Sequence, residues 1–242
     1  ADALLTRRPR ETSGAATANR FSYQRTWALC HLLKKHETAG DYVLIMEFHD
    51  DIIVLDSAQA PKVVDFFQLK TRGEGVWKKK MLVDVPKAPT NARKNPAKRA
   101  RSGLAESGVA VASTAPRSIL GKLLDHSVRF GAHVGTMNLV SNAKFDLPVR
   151  HLPASREREK IRLSELTVEP VADMREKLRA ELGVQDEFSF DKVYLITSGI
   201  SLTEHAKHGA GELAAFLDRR RPGGLYAVQP LYRALCDELA RR

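Results

Sequence analysis

Acidic and basic side chains lie near the ends of two neighbouring strand-like segments, residues 50–56 and 63–70. Both segments are rich in β-branched and apolar residues, and a turn-like stretch joins them, so they predict an antiparallel hairpin. Asp51 lies at the start of the first segment, whereas Gln68 and Lys70 lie near the end of the second. Antiparallel pairing therefore brings these side chains to one end of the hairpin. A carboxylate beside an ammonium there can bind a divalent metal ion and a phosphate together.

The alternation of side chains along a strand decides which of these groups share a face. With a period of two, Gln68 and Lys70 project to the same side, and Leu69 points into the opposite layer. The preceding strand, predicted at residues 42–48, is almost continuously apolar, which is typical of a central strand covered on both faces. Glu47, near its end, is either a metal or water ligand or an edge-exposed acid paired with a surface lysine.

The elements around the hairpin give the order helix, three strands, helix, strand. Apolar residues at helical spacing predict a first helix within residues 15–36 and a second within residues 118–130, with Ser118 as the N-cap of the second. Residues 134–140 form the next predicted strand. The expected fold class is therefore α/β (α+β), with a mixed sheet flanked by helices and further helices at the C-terminal end.

Four segments in this order carry a family resemblance: residues 19–24, 47–51, 68–70 and 118–123. They resemble the restriction-endonuclease-like PD-(D/E)XK nucleases with their αβββαβ core, and in particular the Mrr-like branch, in which QxK replaces (D/E)xK. They look most like the double-stranded-DNA endonuclease domain of bacterial antiphage effectors. Such domains occur fused to a cyclic-oligonucleotide sensor in CBASS systems, or partnered with a HerA-type ATPase. The resemblance covers roughly the first two thirds of the chain.

The resemblance implies roles for the clustered residues. Asp51 would hold Mg²⁺ or Mn²⁺, assisted by the backbone carbonyl of Leu69 and by Glu47 or a bridging water. Lys70 would position the attacking water and stabilise charge that builds on the scissile phosphate. Gln68 replaces the commoner acidic residue, so it supplies an oxygen ligand without charge. The expected activity is metal-dependent hydrolysis of double-stranded DNA.

Two further polar residues are candidates for supporting roles at this site. Gln24 lies in the matching segment of the first helix, and Asp50 precedes Asp51 and is able to compensate for the missing second acid. His49 also lies beside the acids, although a general base is not required where a metal activates water.

Basic residues near the hairpin are candidates for DNA contacts. Trp77 is followed by Lys78, Lys79 and Lys80. The tryptophan either stacks on a base or lines a phosphate groove, or it anchors a solvated charge run. Lys122 lies off the apolar stripe of the second helix, where it either approaches a phosphate or is simply solvated.

The predicted organisation has three parts. Residues 1–14 form a basic arm, residues 15–200 form the nuclease domain with a basic insertion at 85–116, and residues 201–242 form a helical segment. In the last helix an apolar stripe, Leu231, Leu235 and Leu239, needs a partner surface. That surface is the nuclease core, another copy of the chain, or a further domain.

Composition limits the class of protein. The chain has 242 residues, 43% of them hydrophobic, which is enough to bury one sizeable core. A formal net charge of +10 favours a polyanionic partner. The sequence contains no run of about 18 apolar residues, the length that a membrane-spanning helix needs. Cys30 and Cys236 are expected to be reduced thiols of a cytoplasmic protein.

The predicted function is a Mg²⁺-dependent endodeoxyribonuclease. Two alternatives stay open: a nucleic-acid-binding module that has lost cleavage, and an RNA nuclease. Asp51 and Lys70 together argue against the first, and the lack of an aromatic-rich single-strand platform favours duplex DNA over RNA. Because one site per chain cuts one strand, a homo-oligomer is expected.

Overall fold

A six-stranded mixed sheet carries the predicted hairpin in the computed structural model of this chain. The structure describes residues 13–38, 40–86, 117–151, 153–185 and 189–241. Most of the basic arm (residues 1–12) and of the basic insertion (residues 87–116) lies outside these ranges. No helix in the described ranges is both long enough and apolar enough to cross a membrane.

Helices and strands alternate along the described chain largely as the sequence predicts. The helices are α1 (Ser13–Thr38), α2 (Lys79–Val83), α3 (Ile119–Phe130), α4 (Val168–Leu182), α5 (His205–Arg220) and α6 (Val228–Glu238). The strands are β1 (Val43–Phe48), β2 (Asp50–Leu55), β3 (Val64–Leu69), β4 (Trp77–Lys78), β5 (Val134–Ser141), β6 (Phe145–Asp146), β7 (Lys160–Arg162) and β8 (Val193–Thr197). The predicted α/β (α+β) class and the helix, three strands, helix, strand order are confirmed.

The strand order in the large sheet is β1-β2-β3-β5-β8-β7. Strands β1, β2 and β3 are antiparallel neighbours, as the hairpin prediction requires. Strands β3, β5 and β8 run parallel, and β7 closes the far edge antiparallel to β8. Strands β4 and β6 form a separate small parallel pair.

The prediction that β1 is a central strand is wrong, because β1 lies at the edge of the sheet. Leu44 and Met46 pack against the apolar cluster under α1, whereas Ile45 packs against the cluster on the opposite face. Both faces of β1 are therefore partly covered. An apolar run in a strand indicates that both faces of the strand are covered. It does not indicate whether a second strand pairs with each of its two edges.

Helices cover both faces of the sheet. Phe67 and Leu69 pack with Trp27 of α1 on one face. Phe66 packs with Leu120 of α3 on the other face. The alternation predicted for β3 is thus present within the strand, and α1 and α3 lie on opposite sides of the hairpin.

Helix α3 begins at a side-chain cap. Ser118 Oγ accepts a hydrogen bond from the backbone N–H of Gly121 at 2.9 Å, which confirms the predicted N-cap. Glu181 of α4 in turn accepts hydrogen bonds from the Ser118 hydroxyl and the Ser118 backbone N–H, both at 2.7 Å. These bonds fix the start of α3 relative to α4.

The C-terminal helices pack against α1. Leu29 and Leu33 of α1 form a cluster with residues of α5 and α6, and Leu235 and Leu239 lie against it. Leu231 remains exposed. Of the three surfaces considered for the apolar stripe, the structure therefore places the chain's own core against most of it.

Candidate active site

A cleft of about 340 Å³ opens beside the end of β3 and the start of β2. Gln24 of α1 lies on one side, and Asp51, Leu69 and Lys70 lie on the other. Trp77 also lines the cleft. The structure thus brings the first helix together with the hairpin end at which the sequence places the acid and the lysine.

The Asp51 carboxylate is fixed by the backbone of the neighbouring strand. Its Oδ2 accepts a hydrogen bond from the Leu69 N–H at 2.6 Å. The next backbone donor, the Lys70 N–H, turns the other way and bonds the Val140 carbonyl of β5 at 2.9 Å. Because successive N–H groups of a strand point in opposite directions, the Leu69 N–H faces β2, where the carboxylate takes the place of a backbone acceptor. The hydrogen bond from the Leu69 N–H therefore holds the Asp51 carboxylate beside the end of β3, where Lys70 follows.

Burial raises the pKa of Asp51, because desolvation disfavours the charged carboxylate. The positive charge of Lys70, the Leu69 N–H and a hydrogen bond with Gln24 lower this pKa, while the charge of Asp50 raises it again. Desolvation dominates. A cation bound beside Asp51 would favour the ionised form.

Gln68 is a buried polar residue near the end of β3. The pairing of Ile52 with Phe67 places Asp51 and Gln68 at the next opposed positions of β2 and β3. Gln68 Oε1 has no hydrogen-bond partner among the described residues. Buried carbonyl oxygens are normally satisfied, so this acceptor needs a ligand or a water.

The donor set at this end of the hairpin fits a divalent metal ion. A carboxylate, a side-chain amide oxygen and a backbone carbonyl are the hard oxygen ligands that Mg²⁺ uses, and Asp51, Gln68 and Leu69 supply one of each type. No group of three or more His, Cys, Asp or Glu residues within the described ranges could hold a metal. An ion here must therefore depend on neutral oxygens as well as on Asp51.

Glu47 lies in different surroundings from those of Asp51. It lines a neighbouring cavity of about 250 Å³ together with Phe21, Arg25 and Met46. Its backbone is left-handed, with φ 53°, and His49 is also left-handed, with φ 61°. Such values are uncommon outside glycine and cost on the order of 1 kcal/mol or more each. The β1–β2 turn is therefore strained next to the site.

Asp50 turns away from the cleft, toward α3. Its Oδ2 lies 3.0 Å from His126 Nε2, and its Oδ1 accepts a hydrogen bond from the Asp51 N–H at 2.9 Å. Sequence reasoning missed His126 as a partner of the acids. Its signal was its position three residues after Leu123, on the apolar face of α3.

Residues 12–242 match the family model of the Cap4 double-stranded-DNA endonuclease domain. This chain belongs to that family. No curated protein matches the chain in sequence. The predicted resemblance to the endonuclease domain of antiphage effectors is confirmed. The chain is thus a double-stranded-DNA endonuclease of antiphage defence, and the family suggests a divalent metal as its cofactor.

The lysines predicted to contact DNA differ in how they are engaged in this Cap4-type domain. Lys79 Nζ lies 2.9 Å from the Asp173 carboxylate of α4. Lys78 and Lys80 are exposed, and so is Lys122 on α3. The exposed side chains are available to phosphates, whereas a phosphate contact by Lys79 would compete with Asp173.

Trp77 is buried rather than presented as a platform for bases. Its Nε1–H donates to Ser141 Oγ at 2.8 Å. The Arg72 guanidinium lies over the ring, 4.9 Å from its centroid. Of the two interpretations of Trp77, the structure favours an anchoring aromatic. Arg20 is a basic residue that lines the cleft and that the sequence alone did not single out.

Proposed function

We propose that this Cap4-type domain cleaves duplex DNA by Mg²⁺- or Mn²⁺-dependent hydrolysis at the cleft between α1 and the hairpin end. The observation that carries the proposal is the Asp51 carboxylate, which accepts a hydrogen bond from the Leu69 N–H at 2.6 Å and shares the cleft with Lys70, while the strand register puts Gln68 opposite Asp51. Asp51, the Gln68 amide oxygen and the Leu69 carbonyl are the proposed metal ligands. Glu47 is not included as a direct ligand, because it lines the neighbouring cavity and not the cleft of Asp51.

The chain's own residues divide the work at the cleft. A divalent cation held there would supply Lewis acidity and lower the pKa of a water molecule. Lys70 presents its ammonium to the non-bridging phosphate oxygens and offsets the charge that develops during hydrolysis, a contribution of about 3 kcal/mol for comparable donors. Gln24 orients Asp51 through their hydrogen bond. Exposed Lys78, Lys80 and Lys122 are proposed to hold the DNA backbone.

Plasmid cleavage with Mg²⁺, with Mn²⁺ and with EDTA tests this proposal. Lys70→Ala is expected to reduce the cleavage rate roughly a hundredfold, because it removes the ammonium at the phosphate. DNA affinity should change little, since Lys70 is one of 39 basic residues. Lys34→Ala removes an exposed lysine of α1 outside the cleft and is the matched control. Undiminished nicking by Lys70→Ala would overturn the assignment.

Asp51→Asn tests the metal ligand separately. The variant retains an oxygen but loses the charge, so it should need a higher metal concentration or be inactive. Cleavage that persists in EDTA would remove metal from the proposal. Full activity of Asp51→Asn would remove Asp51 from the metal site.

We also propose that the domain acts in an assembly, either as a homo-oligomer or with a HerA-type ATPase or a fused cyclic-oligonucleotide sensor. A double-strand break needs two active sites, and each chain supplies one proposed site. The apolar stripe of α6 is largely covered by α1 and α5, so an assembly surface lies elsewhere. We also propose that the domain acts in the cytoplasm. Cys30 and Cys236 are both free thiols, as is usual for proteins of a reducing compartment.

A further inference from the structure

The hairpin that carries the two acids turns within very few residues. Phe48 pairs with Asp50, so only His49 separates the paired positions of β1 and β2. Glu47 and His49 both have positive φ, at 53° and 61°. Left-handed residues with bulky side chains persist only where surrounding contacts hold them. The contacts that hold this turn therefore also determine where Asp51 lies.

Aromatic rings of α3 provide one set of these contacts. The His49 ring meets the Phe130 ring edge-on, with centroids 5.3 Å apart, and the Phe48 ring lies 4.4 Å from His49. The His126 ring stacks on Phe66 of β3, with centroids 4.0 Å apart and an interplanar angle of 7°. The end of α3 thus packs on both the turn and β3.

A buried hydrogen bond provides the other contact. His126 Nε2 lies 3.0 Å from Asp50 Oδ2, and the two side chains are 9% and 6% exposed. An ionised carboxylate only accepts hydrogen bonds, so Nε2 carries the proton and donates it. The other oxygen of Asp50 accepts from the Asp51 N–H at 2.9 Å. Asp50 therefore connects His126 directly to the backbone of Asp51.

The remaining nitrogen of the ring is not used in this arrangement. His126 Nδ1 is buried and has no hydrogen-bond partner in the described part of the chain. An apolar side chain of similar size would fill the same space beside Phe66 without an unsatisfied nitrogen. What the histidine adds here, compared with such an apolar side chain, is the Nε2–H donor to Asp50.

We infer that His126 is a positioning residue, which acts through Asp50 to hold the strained turn and the Asp51 carboxylate in place for metal binding. The inference rests on the proposed role of Asp51. His126 itself lies on the buried face of α3 and does not line the cleft. Groups that orient a metal ligand in this way typically change metal affinity or activity by about 10–100-fold when they are removed.

Two substitutions of His126 separate its hydrogen bond from its packing. His126→Leu keeps an apolar side chain beside Phe66 and removes the donor, whereas His126→Gln places an amide donor near the position of Nε2. Leu124→Ala is the control, because Leu124 is fully buried in the same helix and its truncation destabilises the fold. Each protein is assayed for cleavage over a metal series and for hydrogen exchange of the Leu69 amide.

The Leu69 amide reports the position of Asp51 without any cleavage, because that amide donates to the Asp51 carboxylate. In metal-free protein, His126→Leu should exchange this amide at least about tenfold faster than the unchanged protein, and His126→Gln should recover most of the protection. The metal concentration for half-maximal cleavage should rise about 10–100-fold in His126→Leu, with little change in KM for DNA. Leu124→Ala should lower the unfolding temperature without either change.

Asp50→Asn provides a second route to the same result if His126→Leu does not fold. The two bonds of Asp50 are accepted by different oxygens, and an amide replaces one of these oxygens with an NH2 donor, so either His126 or the Asp51 N–H loses its acceptor and Leu69 exchange should again accelerate. Unchanged Leu69 exchange in these variants, or equal acceleration in Leu124→Ala, would overturn the inference. Full cleavage by Asp51→Asn would instead overturn the proposed function, whereas the exchange result would still show whether His126 holds Asp51.

Discussion

The burial of His31 on α1 predicts a specific loss of stability in acid. Its ring stacks on Trp27, with centroids 4.9 Å apart, and it lies 4.8 Å from the Phe67 ring of β3. The pKa of His31 is lowered from 6.5 to about 4, mainly by burial and next by the charge of Lys35, against an opposing effect of Asp65 and with smaller lowering effects of Lys34 and Lys160. The imidazole is therefore neutral in the folded protein at neutral pH.

The sign of the effect follows from proton binding. Between pH 6.5 and about pH 4 the unfolded chain takes up a proton at His31 and the folded chain does not. This contribution to stability is fully present above pH 6.5 and is lost as the pH falls toward 4. A tenfold change in proton affinity is worth about 1.4 kcal/mol, so the whole gap corresponds to about 3 kcal/mol, and about 2 kcal/mol of it is lost by pH 5.

His31→Phe removes the titrating group and keeps an aromatic ring beside Trp27. Urea unfolding of both proteins without metal, at pH 7 and at pH 5, gives the comparison. The unchanged protein should lose about 2 kcal/mol more than His31→Phe between these pH values, because all other groups titrate in both. Equal losses in the two proteins would refute the reasoning. Helix α1 also carries Gln24, which hydrogen-bonds Asp51. The loss of stability between pH 6.5 and about pH 4 should therefore also weaken the hold of Gln24 on Asp51.

Two further predictions concern parts of the molecule beyond the cleft. Replacing residues 85–116 with a short flexible linker should preserve the fold, because long surface insertions cost little closure entropy, and it should reduce the slope of log K against log salt by about 0.9 for each phosphate that the insertion neutralises. An unchanged salt slope would make the insertion a mere linker. Specific cleavage activity should also rise with protein concentration as assembly proceeds. Light scattering and cleavage over one dilution series test this, and a monomer that makes double-strand breaks with constant specific activity would contradict it.

Local pattern was enough to predict most elements and the composition of the site. The antiparallel hairpin places Asp51 against the backbone of β3, beside Gln68 and Lys70, as the β-branched runs predicted. The N-cap at Ser118 could also be predicted from the sequence, because a hydroxyl at the start of a helix accepts a hydrogen bond from a nearby backbone N–H. The order of these segments also predicted the nuclease family, which the match over residues 12–242 confirmed.

Side-chain directions at the hairpin end could not be derived in this way. Alternation with a period of two holds within β3 but gives no direction for Asp50 and Asp51, because Glu47 and His49 adopt left-handed backbone conformations just before them. Asp50 consequently reaches α3, while Asp51 bonds the backbone of Leu69.

What the sequence by itself determined is thus which residues meet at the hairpin end, since neighbouring segments and their periodicity decide local pairing. Tertiary structure alone decided that β1 lies at the sheet edge, that Lys79 meets Asp173, and that His126 meets Asp50. Each of these depends on elements distant in sequence, whose contacts are set by the packing of the whole sheet and its helices. A local pattern reports which face of a segment is apolar, but the identity of the residue against that face is a property of the complete fold.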